Sequence, residues 1–380
     1  MKIVIATDSL KGSLTSLEAG QAIGQGIHRA IPNAEVTVRP IADGGEGTVE
    51  ALVLGMKGKE VTVTVTGPLG IPVECTYGIL EEQNTAIIEM SGAAGITLVP
   101  QQERNPLHTT TYGVGEVIKD AIHRGCRHFI VGIGGSATND GGLGMLQALG
   151  YDFLDKNEKP VSFGAKGLKD LTKIADTNVI SELKECTFRI ACDVTNPLCG
   201  DRGCSAVYGP QKGATPSMIR EMDKWLGDYA ALAAKTFPKA DALYPGTGAA
   251  GGMGFAFLTF TNAVLESGIK IILDETHLED YVKDADIVVT GEGRLDGQTV
   301  MGKAPIGVAQ IAKKYDKTVI AFSGCVTEDA TLCNNAGIDA FFPILRGVVT
   351  LEEAMSRETA EKNMIAAAEQ VFRLIHSLRV

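Results

Sequence analysis

The chain has 380 residues, of which 44% are hydrophobic and 21% charged, and its formal net charge is −11. A chain of this length exceeds one hydrophobic core, so we expect two domains or one domain with a large insertion. The acidic balance argues against nucleic acid as a partner. We find neither a signal-type opening nor an apolar run of about eighteen residues, so we expect a cytoplasmic protein without a membrane partner.

The first elements alternate between strand and helix. Residues 2–6 and 35–41 predict two buried parallel strands, each followed by a helix. The segment from Thr15 to Glu18 has the spacing of a capping box at the start of the first helix. Acidic loops rich in small residues follow the two strands, at Asp8 and at Asp43. Open α/β sheets bind ligands at such strand ends.

The middle of the chain has a different pattern. Strands over 60–66, 73–80 and 85–89 are separated by turn signals and predict an antiparallel meander. A helix is predicted over 112–123, and an apolar run predicts a buried strand over 129–133.

The alternation of strand and helix resumes towards the end. The remaining predicted elements are strands over 188–192, 286–290, 318–322 and 339–344, helices over 216–237 and 307–315, and a C-terminal helix from about residue 351. Two strands at the start and three at the end make the five that a flavodoxin-like sheet needs. We therefore predict an α/β protein. Residues 1–58 and 269–380 form a flavodoxin-like doubly wound parallel sheet. Residues 59–268 form an inserted α/β domain with a mixed sheet, and we expect the active site in the cleft between the two.

The segment from Gly132 to Gly142, called the glycine loop below, lies between a predicted strand and a short helix. Backbone N–H groups at such a junction are suited to bind an anion. Asp140 adds a carboxylate, which suits a site that also holds Mg²⁺. The residues expected to contact the phosphates of a cofactor are Gly134, Gly135, Ser136, Thr138, Asn139, Gly141 and Gly142.

Further loops have similar compositions. Gly251 and Gly252 precede a predicted helix, and Lys212 lies in another glycine-containing loop. Glu292 and Asp296 lie in a glycine-rich segment after the strand 286–290. A structural turn explains each loop separately, but repeated carboxylates at strand ends favour convergence around Mg²⁺ and a phosphorylated ligand.

The sequence lacks the motifs of several other enzyme classes. It contains neither the G-x-x-x-x-G-K-[ST] of P-loop proteins nor the G-x-S-x-G of serine hydrolases, and no G-x-G-x-x-G follows a predicted strand as it does in Rossmann dehydrogenases. The six histidines lie outside the glycine-rich loops. Carboxylates, lysines, an arginine and glycine-rich cradles remain, which are the parts used in phosphoryl transfer.

Six segments together resemble the type-1 glycerate kinases of bacteria. They are 8–13, 42–48, 132–142, 192–198, 210–214 and 291–299. Small departures occur at Thr7, Leu10 and Thr195, where the family usually has proline, phenylalanine and often aspartate. The resemblance implies ATP and Mg²⁺ as cofactors, D-glycerate as the substrate and 2-phosphoglycerate as the product. It also implies a flavodoxin-like domain interrupted by an inserted domain.

The roles of individual residues are hypotheses at this point. Asp193, or failing that Asp43, accepts the proton of the attacking hydroxyl. Arg294 or a helix N-terminus holds the carboxylate of glycerate. Lys11 and Lys212 face phosphate oxygens. The predicted Mg²⁺ ligands are Asp140, Glu292 and Asp296.

Three alternatives remain open: a kinase or phosphatase that acts on another small hydroxy acid or sugar, a kinase whose product is 3-phosphoglycerate, and a nucleotide-sensing regulator. The sequence does not decide between a monomer and a homodimer.

Overall fold

The computed structural model describes residues 1–42 and 47–379. The strands are β1 Lys2–Ile5, β2 Glu35–Val38, β3 Lys59–Thr66, β4 Pro72–Leu80, β5 Thr85–Glu89, β6 His128–Gly132, β7 Asp152–Leu154, β8 Lys173–Ala175, β9 Thr187–Ala191, β10 Ala263–Glu266, β11 Ile287–Leu295, β12 Thr318–Val326 and β13 Ala340–Pro343. The α-helices are α1 Ser16–Ala30, α2 Thr48–Gly55, α3 Ser91–Ala94, α4 Tyr112–His123, α5 Leu143–Ala148, α6 Ala165–Lys169, α7 Cys204–Tyr208, α8 Pro216–Ala233, α9 Met253–Phe260, α10 Gly268–Glu275, α11 Leu278–Val282, α12 Ala304–Lys314, α13 Leu332–Asn335, α14 Leu351–Met355 and α15 Arg357–Arg379. Short 3-10 helices cover Glu81–Gln83, Ile96–Leu98, Gln101–Glu103, Ser181–Glu185, Pro210–Lys212, Ala249–Gly251, Thr299–Met301 and Glu328–Thr331.

The described residues form two compact units. Unit 1 comprises residues 1–42, 50–57 and 269–379, and unit 2 comprises residues 47–49 and 58–268. Among the described residues, the chain passes between the units at residues 49–50, 57–58 and 268–269. Over the described residues, no helix has both the length and the apolar character needed to cross a bilayer.

Unit 1 is built on a five-stranded sheet with the order β13-β12-β11-β1-β2, in which every neighbouring pair is parallel. If these five strands are counted along the chain, the order is that of a flavodoxin-like sheet, with the first strand between the second and the third. The fold class predicted from the sequence is confirmed.

Both faces of this sheet are covered. Ile3 and Ile5 belong to a core that includes residues of α1 and α15. Val4 points to the opposite face because side chains alternate along a strand, and it is only 4% exposed. α1 and α15 pack closely: a Cβ on Gly26 would lie 2.4 Å from the carbonyl oxygen of Ile365. Glycine is therefore needed at position 26.

Unit 2 is built on a six-stranded mixed sheet with the order β10-β9-β6-β5-β4-β3. The first four strands in this order are parallel, and β4 is antiparallel to both β3 and β5. The predicted antiparallel meander of β3, β4 and β5 is confirmed. Phe129 and Phe188 stack with ring centroids 4.7 Å apart and are each 1% exposed, which places them in the core. A separate hairpin pairs β7 with β8.

The ends of several elements differ from the prediction. β11 was predicted to end at residue 290 and β12 at residue 322, but the two strands continue to pair, with Glu292 opposite Ser323. Their backbone ladder therefore converts the first part of the predicted loop into strand. The helix predicted over 216–237 ends at Ala233. The capping box from Thr15 to Glu18 is confirmed.

Candidate active site

The carboxyl ends of the parallel strands of unit 2 meet at one edge of its sheet. Glu89, the last residue of β5, pairs with Gly132, which in turn pairs with Ala191. The glycine loop begins at Gly132, and Asp193 follows Ala191 by two positions. The two predicted parts of the site therefore lie at the same edge. Glu89, at the end of β5, lies at this edge as well. The sequence analysis missed it, although it ends a predicted strand.

The beginning of the glycine loop is exposed. Apart from its two neighbours in the chain, no described residue places an atom within 4 Å of a Cβ on Gly134. Gly135 has a left-handed backbone with φ of 72°. The carbonyl oxygen of Gly135 accepts a hydrogen bond from the N–H of Ile96 at 2.8 Å, which fixes the path of the loop. This stretch offers backbone that another molecule can approach closely.

The other predicted cofactor-binding glycines are buried. The N–H of Gly141 donates to the carbonyl oxygen of Gly251 at 2.9 Å. A Cβ on Gly251 would lie 2.1 Å from the carbonyl oxygen of Thr138, and one on Gly252 would lie 2.7 Å from Cα of Gly141. Gly142 is also buried, and a Cβ there would lie 2.4 Å from that of Ala256. These contacts favour a packing role for the four glycines rather than the contact with a cofactor that the sequence predicted.

The polar side chains of the loop are held beneath its surface. Ser136 is 7% exposed, Thr138 and Asn139 are fully buried, and Lys212 is 2% exposed. The ammonium group of Lys212 donates to Ser136 Oγ at 2.7 Å and to the carbonyl oxygen of Thr138 at 2.6 Å. Asn139 Nδ2 donates to Ser205 Oγ at 2.8 Å. Among the described residues, Thr138 Oγ1 and Asn139 Oδ1 have no hydrogen-bond partner.

Asp140 is fully buried, and both oxygens of its carboxylate accept hydrogen bonds. Oδ2 accepts from the N–H of Thr111 at 3.0 Å, from Thr111 Oγ1 at 2.8 Å and from the N–H of Gly144 at 3.3 Å, while Oδ1 accepts from the N–H of Gly142 at 3.1 Å. Burial raises the pKa of Asp140, and these hydrogen bonds oppose the rise. Because four donors already surround the carboxylate, the geometry does not fit the predicted Mg²⁺ ligand.

Asp193 is exposed just beyond β9. Its Oδ1 accepts a hydrogen bond from the N–H of Gly268 at 3.1 Å, which ties it to the residue two positions after β10. Asp193 therefore lies on the same edge of unit 2 as the exposed part of the glycine loop, with a carboxylate accessible to another molecule.

Unit 1 brings two predicted segments together at the carboxyl edge of its own sheet. Asp8 follows β1, is 5% exposed, and accepts a hydrogen bond from the N–H of Ser9 at 2.6 Å. A Cβ on Gly293 would lie 3.6 Å from Cα of Leu10 and from the backbone nitrogen of Lys11. The loop after β1, with the exposed Lys11, therefore lies against β11.

Glu292 is the buried carboxylate of this edge, with 7% exposure. Its Oε1 accepts a hydrogen bond from Thr299 Oγ1 at 2.6 Å, and its Oε2 lies 3.6 Å from Lys303 Nζ. Burial raises the pKa of Glu292, while the hydrogen bond and the positive charge of Lys303 oppose the rise. Sequence reasoning missed Lys303, which directly precedes the helix start Ala304-Pro305.

Asp296 completes this group of charges. Its Oδ1 lies 3.9 Å from Lys303 Nζ, and its Oδ2 lies 3.4 Å from Arg294 Nε. The side chain of Arg294 is 62% exposed, so most of its guanidinium is accessible. The structure thus brings three predicted residues of unit 1 together: Glu292, Arg294 and Asp296.

For two of the predictions from the sequence, the structure supplies no supporting arrangement of side chains. Asp43, the second candidate for the base, lies outside the described residues. In the part of the chain that the structure describes, no group of three or more His, Cys, Asp or Glu side chains is arranged to hold a metal ion.

Comparison with known proteins connects these features to a family. The sequence profile of the glycerate kinase family matches residues 3–376. A glycerate kinase of Haemophilus influenzae is 49% identical over 375 residues, which cover 99% of each chain. A glycerate 2-kinase of Escherichia coli is 48% identical over 354 residues, which cover 93% of each chain.

A solved structure gives the same result for the fold. The crystal structure of a candidate glycerate kinase 2 from Salmonella typhimurium LT2 matches with a TM-score of 0.92 and 47% identity, covering 100% of this chain and 99% of that one. The resemblance noted from the six sequence segments is confirmed, and so is the predicted enzyme class, a kinase that transfers phosphate to an alcohol group. The chain belongs to the glycerate kinase family.

Proposed function

We propose that this chain transfers the γ-phosphoryl group of ATP to the 2-hydroxyl of D-glycerate, with Mg²⁺, and so forms 2-phosphoglycerate and ADP. The observation that carries the proposal is the match over almost the whole chain to a relative named glycerate 2-kinase. The exposed backbone at the beginning of the glycine loop supports it, because a nucleotide phosphate needs backbone donors of this kind.

Phosphate binding is assigned to the exposed beginning of the glycine loop. Gly134 and Gly135 are exposed and leave room for a ligand to approach the backbone. The space around a Cβ on Gly134, which no described residue beyond its chain neighbours approaches within 4 Å, leaves room for a phosphate chain. On unit 1, the exposed Lys11 is proposed as a further phosphate contact, because its ammonium can reach solvent.

Mg²⁺ is assigned to Glu292 and Asp296. Oxygen atoms from both carboxylates lie within 4 Å of one ammonium group, that of Lys303. A cation near both carboxylates is therefore compatible with this geometry, and carboxylate oxygens are the ligands that Mg²⁺ prefers. When bound, Mg²⁺ neutralises charge on the phosphate oxygens. The buried Asp140 is not part of this assignment.

Asp193 is proposed to accept the proton of the attacking hydroxyl. Its residue is exposed just beyond the carboxyl end of β9, and its Oδ1 is oriented by the hydrogen bond from the N–H of Gly268. A base of ordinary strength is sufficient, because phosphoryl transfer depends mainly on positioning and charge stabilisation. Arg294 is proposed to hold the glycerate carboxylate, since a mostly exposed guanidinium can bind a carboxylate through two parallel hydrogen bonds.

The position of the new phosphate tests the proposal. The purified protein is incubated with D-glycerate, ATP and Mg²⁺, and the product is followed by ³¹P NMR without proton decoupling. A phosphate on the 2-oxygen couples to one carbon-bound proton and gives a doublet, whereas one on the 3-oxygen couples to two protons and gives a triplet. A doublet is expected.

A triplet would replace the product by 3-phosphoglycerate. No reaction with D-glycerate, together with turnover of another small hydroxy acid or sugar, would replace the substrate. A reaction mixture with ATP alone is the control for hydrolysis that does not depend on an acceptor.

A further inference from the structure

The side chain of Lys212 lies in an unusual environment for an ammonium group. It is 2% exposed, and its two hydrogen-bond acceptors, Ser136 Oγ and the carbonyl oxygen of Thr138, are both neutral. Within the described part of the chain it forms no ion pair. A buried cation without a carboxylate partner carries a substantial desolvation cost, so a packing role alone does not account for it.

The position of this charge relative to the loop suggests its use. Both acceptors belong to the glycine loop, and the exposed Gly134 and Gly135 directly precede Ser136. The ammonium group therefore lies just beneath the stretch of backbone that a ligand can approach. At 2% exposure, and with two of its three protons donated to the loop, Lys212 is poorly placed to contact a ligand itself.

We propose that Lys212 is a positioning residue, which holds Ser136 and the carbonyl group of Thr138 in place. Its buried positive charge strengthens the binding of an anionic phosphate at the exposed start of the glycine loop. The lysine itself does not contact that phosphate. This replaces the direct phosphate contact expected from the sequence. The proposal rests on the proposed function only for the identity of the anion, a nucleotide phosphate.

The charge can be switched off without a mutation. Burial lowers the pKa of Lys212 to about 8, so the ammonium loses its proton at moderately alkaline pH. The charged or titratable groups around it are Asp140 in the loop, Cys204 at the start of α7, and Arg104, whose Nη1 lies 3.5 Å from the carbonyl oxygen of Gln211. Burial raises the pKa of Cys204 to about 11, which keeps this thiol neutral over the range needed.

The test measures anion binding directly. Binding of ADP and of inorganic tripolyphosphate is measured by calorimetry at about pH 7 and about pH 9.5, on either side of the pKa of Lys212. The proteins are the wild type, Lys212→Met, Lys212→Arg and the control Lys224→Met. Lys224 is an exposed lysine of unit 2 that pairs with Asp228 on the helix surface.

We expect the wild type and Lys224→Met to bind both ligands about ten- to a hundredfold more weakly at the higher pH, as loss of one nearby charge predicts. Lys212→Met should bind weakly at both pH values and show no such change, whereas Lys212→Arg should keep its affinity at both. A folded Lys212→Met that binds like the wild type would overturn the proposal, as would a wild type that binds neither ligand or whose affinity is the same at both pH values.

Two safeguards keep the result interpretable. If Lys212→Met does not fold, the pH series of the wild type and Lys212→Arg decide the question. Failure of the wild type to phosphorylate D-glycerate, with the dependence on Lys212 intact, would reject the proposed function but not the role of this lysine. The opposite pair of results would reject only the role of the lysine.

Discussion

Replacement of Asp140 by alanine should destabilise unit 2 and leave Mg²⁺ affinity unchanged. The carboxylate is fully buried and accepts hydrogen bonds from three backbone N–H groups, those of Thr111, Gly142 and Gly144, and from one hydroxyl. In the alanine variant these donors remain buried without their acceptor. The affinity for Mg²⁺ should not change, because hydrogen-bond donors already surround both oxygens of the Asp140 carboxylate.

The size of the effect follows from the number of donors. A buried donor without a partner costs about 1–3 kcal/mol, so three stranded N–H groups cost about 3–9 kcal/mol. Removal of a buried negative charge recovers part of this, and water entering the space left by the carboxylate recovers more. We therefore expect a net loss of about 3–5 kcal/mol. For a unit of this size, that is a fall in Tm of roughly 6–20 °C.

The assay combines thermal unfolding with a titration of Mg²⁺ in the presence of ADP. Asp170→Ala is the matched control, because it removes an exposed carboxylate from the same unit. Glu292→Gln provides the opposite pattern, with a small change in Tm and weaker Mg²⁺ binding. An Asp140→Ala protein with the Tm of the wild type and reduced Mg²⁺ affinity would refute the reasoning and restore the metal-ligand interpretation.

Three further substitutions test other parts of the two edges. Asp193→Asn should lower kcat by about 10²–10⁴ in a glycerate phosphorylation assay if Asp193 is the base, and a kcat near that of the wild type would remove it from the mechanism. Gly251→Ala should lower the free energy of unfolding by at least about 1–2 kcal/mol in a urea titration, because φ is 68° and the new Cβ would lie 2.1 Å from the carbonyl oxygen of Thr138. Thr299→Val should cost about 1.5–3 kcal/mol in the same titration, since it removes the 2.6 Å hydrogen bond to the buried carboxylate of Glu292. A urea midpoint equal to that of the wild type would contradict either stability prediction.

The arrangement of strands could be predicted because its causes are local in sequence. Apolar runs of four to six residues mark strands that are buried on both faces, as in β1 and β6. Once the strands of a parallel sheet are identified, their carboxyl ends must share an edge. The positions of Asp8 at one sheet and Asp193 at the other follow from this rule.

The roles of single side chains could not be predicted in the same way, because they depend on contacts between distant residues. Asp140 looks like a possible metal ligand in the sequence, but its strongest partner is Thr111, 29 positions earlier. Lys303 has no recognisable motif, and it approaches Glu292 only because β11 continues past the predicted strand end. Burial, which separates the exposed Gly134 from the enclosed Gly251, is likewise a property of the folded chain.

The glycine loop contains one buried carboxylate and has one buried ammonium beneath it, and the way they are separated matters for anion binding. If Asp140 and Lys212 formed an ion pair, their fields would largely cancel at the surface of the loop. Instead, Asp140 is solvated by hydrogen bonds from Thr111, Gly142 and Gly144, while Lys212 is bound to neutral oxygens. The four donors around Asp140 offset much of its negative charge. The two neutral acceptors of Lys212 offset a smaller part of its positive charge. A chain with a net charge of −11 can therefore still present a locally positive surface to a phosphate at the exposed start of the glycine loop.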